Sequence, residues 1–401
     1  MKLSIVPKSL EGEIRAIPSK SAAHRLLICA ALADKATVIY CPSLSKDIEA
    51  TAACLKALGA GIDYRDGTFF VEPIKKVNSD ALLDCGESGS TLRFLLPVVC
   101  ALGGAARIKM HGRLPERPLS PLWEELEAHG AVLTRPERDI ISVSGKILAG
   151  DYKIRADISS QYVSGLLFAL PLLDGASSLR LEGNIESRGY IDMSCQAQAA
   201  FKLAFKFEDK CFYIPAGSAY LSPGTAQVEG DWSNAAFWLA ADALSENSVK
   251  VSGLLHDSLQ GDRAVLELLS RIREGDAVID VKDVPDLVPV LSVAAAVSPG
   301  KTEFVNAGRL RIKESDRIAS VCRMLSALGV RCEEQAEGLT VFGGGLRGGT
   351  VDSENDHRIV MSAAVAAIAC SVPVTIIGAE AVEKSYPAFF EDYKKLGGEI
   401  L

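Results

Sequence analysis

Lys313-Glu314-Ser315-Asp316-Arg317 crowds acids and bases into the start of an apolar run, Ile318–Leu328. A solvated helix start capped by Ser315 or Asp316 accounts for part of this pattern. Arg309 and Arg311 lie just upstream, and so many cations together are comfortable only where an anion lies among them. Comparable openings recur along the chain. Pro18-Ser-Lys20-Ser21-Ala-Ala-His-Arg25 places a lysine and an arginine about one helical turn apart. Gly86-Glu-Ser-Gly89-Ser-Thr-Leu-Arg93 is a glycine and hydroxyl turn that lets an anion approach backbone N–H groups. Ser159-Ser160-Gln161 offers two hydroxyls and an amide, a neutral set suited to sugar-like hydroxyls or phosphate oxygens. Asn355-Asp356-His-Arg358 joins an N-cap acid to an arginine, and Asp286 stands in the first turn of an otherwise apolar helix. Arg117 is presented by a loop stiffened by Pro115 and Pro118, and Lys384 precedes a turn at Pro387. Each motif alone reads as a cap, a dipole partner or a solvated lysine. Together they read as a site for substrates carrying several negative charges.

Several chemistries are excluded. No Gly-Lys-Ser/Thr follows the Gly86 turn at Walker spacing, and no dinucleotide fingerprint follows a strand, so nucleotide chemistry is disfavoured. The chain has no C-x-x-C, and its five histidines do not cluster, so no metal and no cofactor are expected. The ten cysteines lie in apolar segments without paired spacing, which suits reduced, mostly buried thiols. With a net charge of −8, the chain is a poor partner for nucleic acid, and any anion site is a local concentration of bases. The N-terminus has no stretch of signal-peptide type. Ile359–Gly378 is apolar, but Pro373, Ser362, Ser371 and Thr375 interrupt it. A cytoplasmic protein with no membrane contact is the expectation.

The polar openings belong to helices of one kind. Each runs into an apolar body: Leu26–Leu32, Phe94–Leu102, Val163–Leu173, Ala235–Leu244, Val288–Val297 and Ile359–Ala369. Bodies so apolar must be buried on all sides, while their first turns carry unpaired N–H groups and attract anions. A second, amphipathic kind ends at a glycine cap, at Gly59, Gly130, Gly275, Gly329 and Gly397. A sixth copy without its glycine is expected at Ala199–Phe207. Short β-like runs follow, such as Thr37–Tyr40, Arg107–Met110 and Leu339–Phe342. The alternation gives the α/β class and an internally repeated unit, six of which divide into two lobes of three. The Ser222-Pro-Gly-Thr turn is a candidate crossing point, and strand Lys2–Val6 can return to the second lobe. Facing lobes would bring the scattered cations into one cleft.

With these residues in view, the chain resembles the 5-enolpyruvylshikimate-3-phosphate synthase family of enolpyruvyl transferases. The likeness runs over nearly the whole length, with eight motifs in family order: Pro18-Ser-Lys-Ser…Arg25, Gly-x-x-Gly-x-x-x-Arg93, Glu-Arg117-Pro, Ser159-Ser-Gln, Asp286, Lys-Glu-Ser-Asp-Arg317, Asp-His-Arg358 and Lys384-x-x-Pro. The resemblance implies a two-lobed inside-out α/β barrel built from six βαβαββ repeats. One lobe would be discontinuous, residues 1–17 and 230–401, and the other, 18–229, would bind shikimate 3-phosphate. Lys20, Ser21, Arg25, Ser159, Ser160, Gln161, Ser187, Asp286 and Lys313 would hold shikimate 3-phosphate. Lys20, Gly89, Arg117, Gln161, Arg317, Arg358 and Lys384 would hold phosphoenolpyruvate. Asp286 would accept the proton of the attacking 5-hydroxyl, with Glu314 nearby and Lys384 and Lys20 as further catalytic groups. Lobe closure would exclude water. Small-molecule substrates, a monomeric state and no nucleic-acid or membrane partner complete the picture. Glu87 and Arg309 depart from the family, each standing where many relatives carry asparagine.

Two other readings compete. The related enolpyruvyl transferase that acts on a UDP-amino sugar usually has a cysteine in its mobile loop and an asparagine after the first lysine. Here Gly112–Leu122 has no cysteine, and Ser21 follows Lys20. A non-catalytic polyanion binder on the same scaffold would leave Asp286 and Glu314, beside Lys384, without a purpose.

Overall fold

Residues 81–145 show the repeating motif in full. Strands Ala81–Asp84 and Ala106–Lys109 are parallel, and helix Gly89–Leu102 makes the crossover that parallel pairing demands. Helix Leu122–Ala128 then leads to the antiparallel pair Ala131–Glu137 and Ile140–Gly145, the latter hydrogen-bonded to Ala106–Lys109. Ala81 and Leu83 turn inward while Leu82 and Asp84 turn out, the alternation of a sheet with one buried face. Residues 151–214 and 277–342 repeat this order of strand, helix, strand, helix, strand, strand.

Two further units borrow a strand from a distant part of the chain. Thr225–Gln227 pairs in parallel with Thr37–Tyr40, completing a sheet whose helices are Lys20–Ala31 and Lys46–Leu58. Lys2–Val6 lies between Val374–Ile377 and Glu399–Ile400, so the first strand fills the place of a last one. The sixth unit is reduced. Gly12–Arg15 pairs in parallel with Val249–Ser252, and after helix Val265–Arg273 the chain turns at Gly275 directly into Ala277–Asp280 of the next unit. Its final strand pair is missing. The sheets are open rather than closed into one barrel.

The computed structural model describes residues 1–401, which divide into two compact units: Met1–Ile17 with Gly230–Leu401, and Pro18–Glu229. Each has its own apolar core. The six apolar helices lie in those cores. Every residue of Val288–Val297 except the last is buried, as its lack of a polar face requires. Side chains of Ser19, Ser88, Ser159, Asp231 and Asp356 accept first-turn N–H bonds and cap five of these helices. No helix is long and apolar enough to cross a membrane.

The glycine-capped helices end as expected, with Gly59, Gly130, Gly275, Gly329 and Gly397 all at positive φ. The copy without a glycine lies earlier than Ala199–Phe207. Its helix is Arg188–Ala200, Lys202 takes the left-handed turn at φ 65°, and Lys206–Glu208 is already strand. The cysteines are all free thiols. Spacing gave no sign that Cys322 and Cys332 would meet, yet a helix and the strand after it bring their sulfurs within 2.8 Å.

Candidate active site

In the unit that contains both termini, charge concentrates on Asp286. It stands on the one-turn helix Pro285–Leu287, at the head of the apolar helix Val288–Val297. Arg317 Nη1 reaches its Oδ1 at 2.7 Å, Lys313 Nζ lies 3.4 Å from the same atom, and Arg358 Nη2 lies 3.3 Å from Oδ2. Burial pushes the Asp286 pKa up, but Arg358, Lys313 and Arg317 outweigh it against Glu314, leaving the carboxyl well below its ordinary range. It is ionised at neutral pH.

Arg317 is the structural hub. Only 1 % of its side chain is exposed, and it binds three carboxylates: Asp286, Glu314 at 2.5 Å, and Asp356 through Nε at 2.7 Å and Nη2 at 3.3 Å. A guanidinium presents five donors in a fixed fork, and here four contacts go to protein acids. Asp356 also takes the Ser315 hydroxyl at 3.0 Å and caps Arg358 N–H at 2.9 Å. The sequence reading gave Asp356 a capping role only; its grip on Arg317 comes from a helix 39 residues away. Burial lowers the Lys313 pKa to about 8, with Asp286 and Glu314 opposing and Arg317 and Arg309 assisting the fall. Lys384 Nζ donates to the Asn355 carbonyl at 2.6 Å, beside that same capping turn.

The expected clash among Arg309, Arg311, Lys313 and Arg317 does not arise, because protein acids and, for Arg309, a backbone carbonyl hold them. Arg311 pairs with Asp316 at 2.9 Å and Glu334 at 2.8 Å, and Arg309 donates to the Lys282 carbonyl at 2.6 Å. Asp316 is the cap of this helix, accepting from Ala319 N–H.

In residues 18–229 a second set forms. Lys20 pairs with Asp47 at 2.8 Å, a partner that no motif announced. Arg25 is almost fully buried, with Nε on Ser194 at 2.9 Å, Nη1 on the Ser21 carbonyl at 2.6 Å and Nη2 on the Tyr190 carbonyl at 2.8 Å. Burial brings its pKa down to about 10, so it keeps its charge. Gln161 accepts from Arg93 Nη1 at 3.0 Å and donates to Ser90 at 2.9 Å, while Arg93 Nη2 and the Tyr162 hydroxyl both bond the Pro118 carbonyl. The loop residue before Pro118 is Arg117. A Cβ on Gly89 would stand 2.6 Å from Arg93 Nη1 and 2.7 Å from Arg117 Nη1, so any larger residue there would make both guanidinium groups shift. Ser159 and Ser160 open the Gln161 helix, and Ser187 holds a left-handed φ of 52° before the next one.

A buried chain ties these helices together. His24 Nδ1 meets Thr51 Oγ1 at 2.7 Å, Thr51 meets Thr91 at 2.6 Å, and Thr91 donates to Ser88, the cap of the Gly89 helix, at 2.8 Å. Burial, then Lys20 and Arg25, hold the His24 pKa well below its usual value, so the ring is neutral. Sequence reasoning missed Asp47, Ser194 and Ser233, whose only signal was the presence of a hydroxyl or an acid.

An α/β fold of repeated units, with basic and hydroxyl groups gathered at the mouths of buried helices, is the architecture of a class of anion-handling transferases. The family model of EPSP synthase (3-phosphoshikimate 1-carboxyvinyltransferase) matches residues 6–393, and the chain belongs to that family. It is 39% identical to the 3-phosphoshikimate 1-carboxyvinyltransferase of Clostridium kluyveri, over 99% of this chain and 98% of that protein. The Clostridium beijerinckii protein of the same name is 40% identical over 99% and 97%. Among solved structures, an EPSP synthase from Acinetobacter baumannii superimposes with a TM-score of 0.82 at 25% identity, covering 100% of this chain and 99% of that one. The enolpyruvyl transferase NikO from Streptomyces tendae shares the fold, with a TM-score of 0.79 at 17% identity over 100% and 98%.

Proposed function

We infer that this protein transfers the enolpyruvyl group of phosphoenolpyruvate to the 5-hydroxyl of shikimate 3-phosphate. The products are 5-enolpyruvylshikimate 3-phosphate and phosphate, in the shikimate pathway to chorismate and the aromatic amino acids. The hydroxyl oxygen adds to C2 of phosphoenolpyruvate while C3 gains a proton. The adduct then loses phosphate from C2 and a proton from C3, which restores the double bond. Over the two steps the proton gained at C3 cancels, and the hydroxyl proton leaves on the departing phosphate as hydrogen phosphate.

The observation that carries this reading is an ionised Asp286 held among Lys313, Arg317 and Arg358. A carboxylate so restrained is a weak base at rest. When substrate phosphate and carboxylate groups draw on the same cations, their hold on Asp286 loosens and its basicity rises. Asp286 thus accepts the hydroxyl proton, with Glu314 as its acidic neighbour and Lys384 and Lys20 as the other groups that handle protons. Shikimate 3-phosphate is assigned to Lys20, Ser21, Arg25, Ser159, Ser160, Gln161, Ser187, Asp286 and Lys313. Phosphoenolpyruvate is assigned to Lys20, Gly89, Arg117, Gln161, Arg317, Arg358 and Lys384, where arginine forks suit its phosphate and carboxylate. Arg317 must release part of its grip on Glu314 or Asp286 to take this part. A cytoplasmic monomer that needs no cofactor is the working state assumed.

The test is phosphate release from phosphoenolpyruvate with each acceptor in turn. Release with shikimate 3-phosphate and none with a UDP-amino sugar is expected. The reverse pattern would overturn the assignment.

A further inference from the structure

Asp262 is a buried acid that the assignment above leaves without work. It is 2 % exposed, on the short turn Gly261–Ala264, with Asp286 and Arg358 as charged neighbours and the Ser233 hydroxyl bonded to its carboxyl group. Withdrawing a carboxylate from water beside a second carboxylate is unfavourable. Burial and then Asp286 raise its pKa to about 6, with Arg358 and Ser233 pulling against them. An apolar side chain would avoid that cost, so the acid is retained at the expense of stability.

The turn around it is fastened to the helix Trp232–Leu244, which carries Ser233. The Gln260 side chain accepts Trp232 N–H at 3.0 Å and donates to the Gly230 carbonyl at 2.8 Å. A Cβ on Gly261 would lie 3.0 Å from the Asp283 carbonyl, so the turn packs closely on its other side. These bonds hold Asp262 against Ser233. Ser233 Oγ accepts from Arg358 Nη2 at 2.7 Å, which leaves the hydroxyl proton to point at Asp262. On its other side Arg358 is held by Asp286, through Nη1 to the backbone carbonyl at 3.0 Å and Nη2 to the carboxylate at 3.3 Å.

We propose that Asp262 is a positioning residue for enolpyruvyl transfer: its carboxylate orients the Ser233 hydroxyl, which in turn aims the Arg358 guanidinium. The inference rests on the reading that Arg358 binds phosphoenolpyruvate. Without Asp262 the hydroxyl can rotate its proton toward Arg358, and one of the two anchors that set the guanidinium plane is lost.

The test uses the full-length protein and its Asp262→Asn, Ser233→Ala and double variants, assayed by phosphate release. Each single change is expected to raise KM for phosphoenolpyruvate by about tenfold, with KM for shikimate 3-phosphate within about twofold. The double variant should be no worse than the weaker single, because both changes break one relay. An unmoved KM for phosphoenolpyruvate, additive effects, or a parallel rise in both KM values with a lower Tm would each overturn the relay. Should Asp262→Asn not fold, Ser233→Ala decides alone by the same KM comparison. A wild-type protein that releases no phosphate with shikimate 3-phosphate would bring down the proposed function, and this inference with it; an active wild type with unmoved KM values brings down this inference only.

Discussion

At the scale of residues, the site is a balance of charge in which no group acts alone. Asp286 faces three cations, and Arg317 faces three carboxylates. Asp286→Ala removes the proposed base while the cations proposed to bind substrate remain. Turnover is expected to fall by roughly a hundredfold or more, with shikimate 3-phosphate affinity retained within about tenfold by titration calorimetry. Unchanged turnover would remove the base assignment. Lys313, with its pKa lowered to about 8, gives a pH signature. It is charged below that value and neutral above it, so KM for shikimate 3-phosphate should rise as pH climbs through about 8. Lys313→Arg, whose charge persists, should abolish that limb of the profile. A limb that survives the substitution would assign the titration to another group.

At the scale of elements, the helix mouths work because their bodies are buried and their caps are local. Ser88 caps the Gly89 helix and also ends the chain of hydroxyls that starts at His24. The positions of Gly89 and Arg93 therefore depend on the helices that carry Lys20 and Thr51. The second helix type depends on a left-handed residue after its last turn. Lys202 fills that place at φ 65° where the other copies use glycine. Lys202→Gly should stabilise the fold by about 0.5–1 kcal/mol, by relieving the left-handed strain of a residue with a Cβ. Urea denaturation measures this, and a loss of stability would mean that the lysine side chain contributes more than its backbone costs.

At the scale of the whole molecule, chain ends complete sheets that the intervening residues leave unfinished. Lys2–Val6 is the only strand bonded to both Val374–Ile377 and Glu399–Ile400. Deleting residues 1–6 strips Glu399–Ile400 of its partner and exposes the edge of Val374–Ile377. The deletion is expected to lower Tm sharply and to abolish turnover. A near-normal melting curve would show that the first strand is dispensable.

Much of this was legible in the letters. The apolar helix bodies, the capping side chains and the glycine stops are short-range features, fixed by neighbours a few residues apart. Strand positions such as Thr37–Tyr40 and Val374–Ile377 were readable for the same reason. Motif order was enough to point to the family. The candidate site divides along the same line. Asp286, Lys313, Glu314 and Arg358 announce themselves through charge placed at helix starts, whereas Asp47, Ser233 and Asp262 look like ordinary surface or capping residues. Asp47 and Ser233 gain their importance from partners 27 and 125 residues away, and Asp262 gains its own from Ser233, Asp286 and Arg358. A sequence states which local structures its residues prefer. Which carboxylate meets which cation, and which acid is taken out of water, depends on how distant segments pack, and only the folded chain decides that.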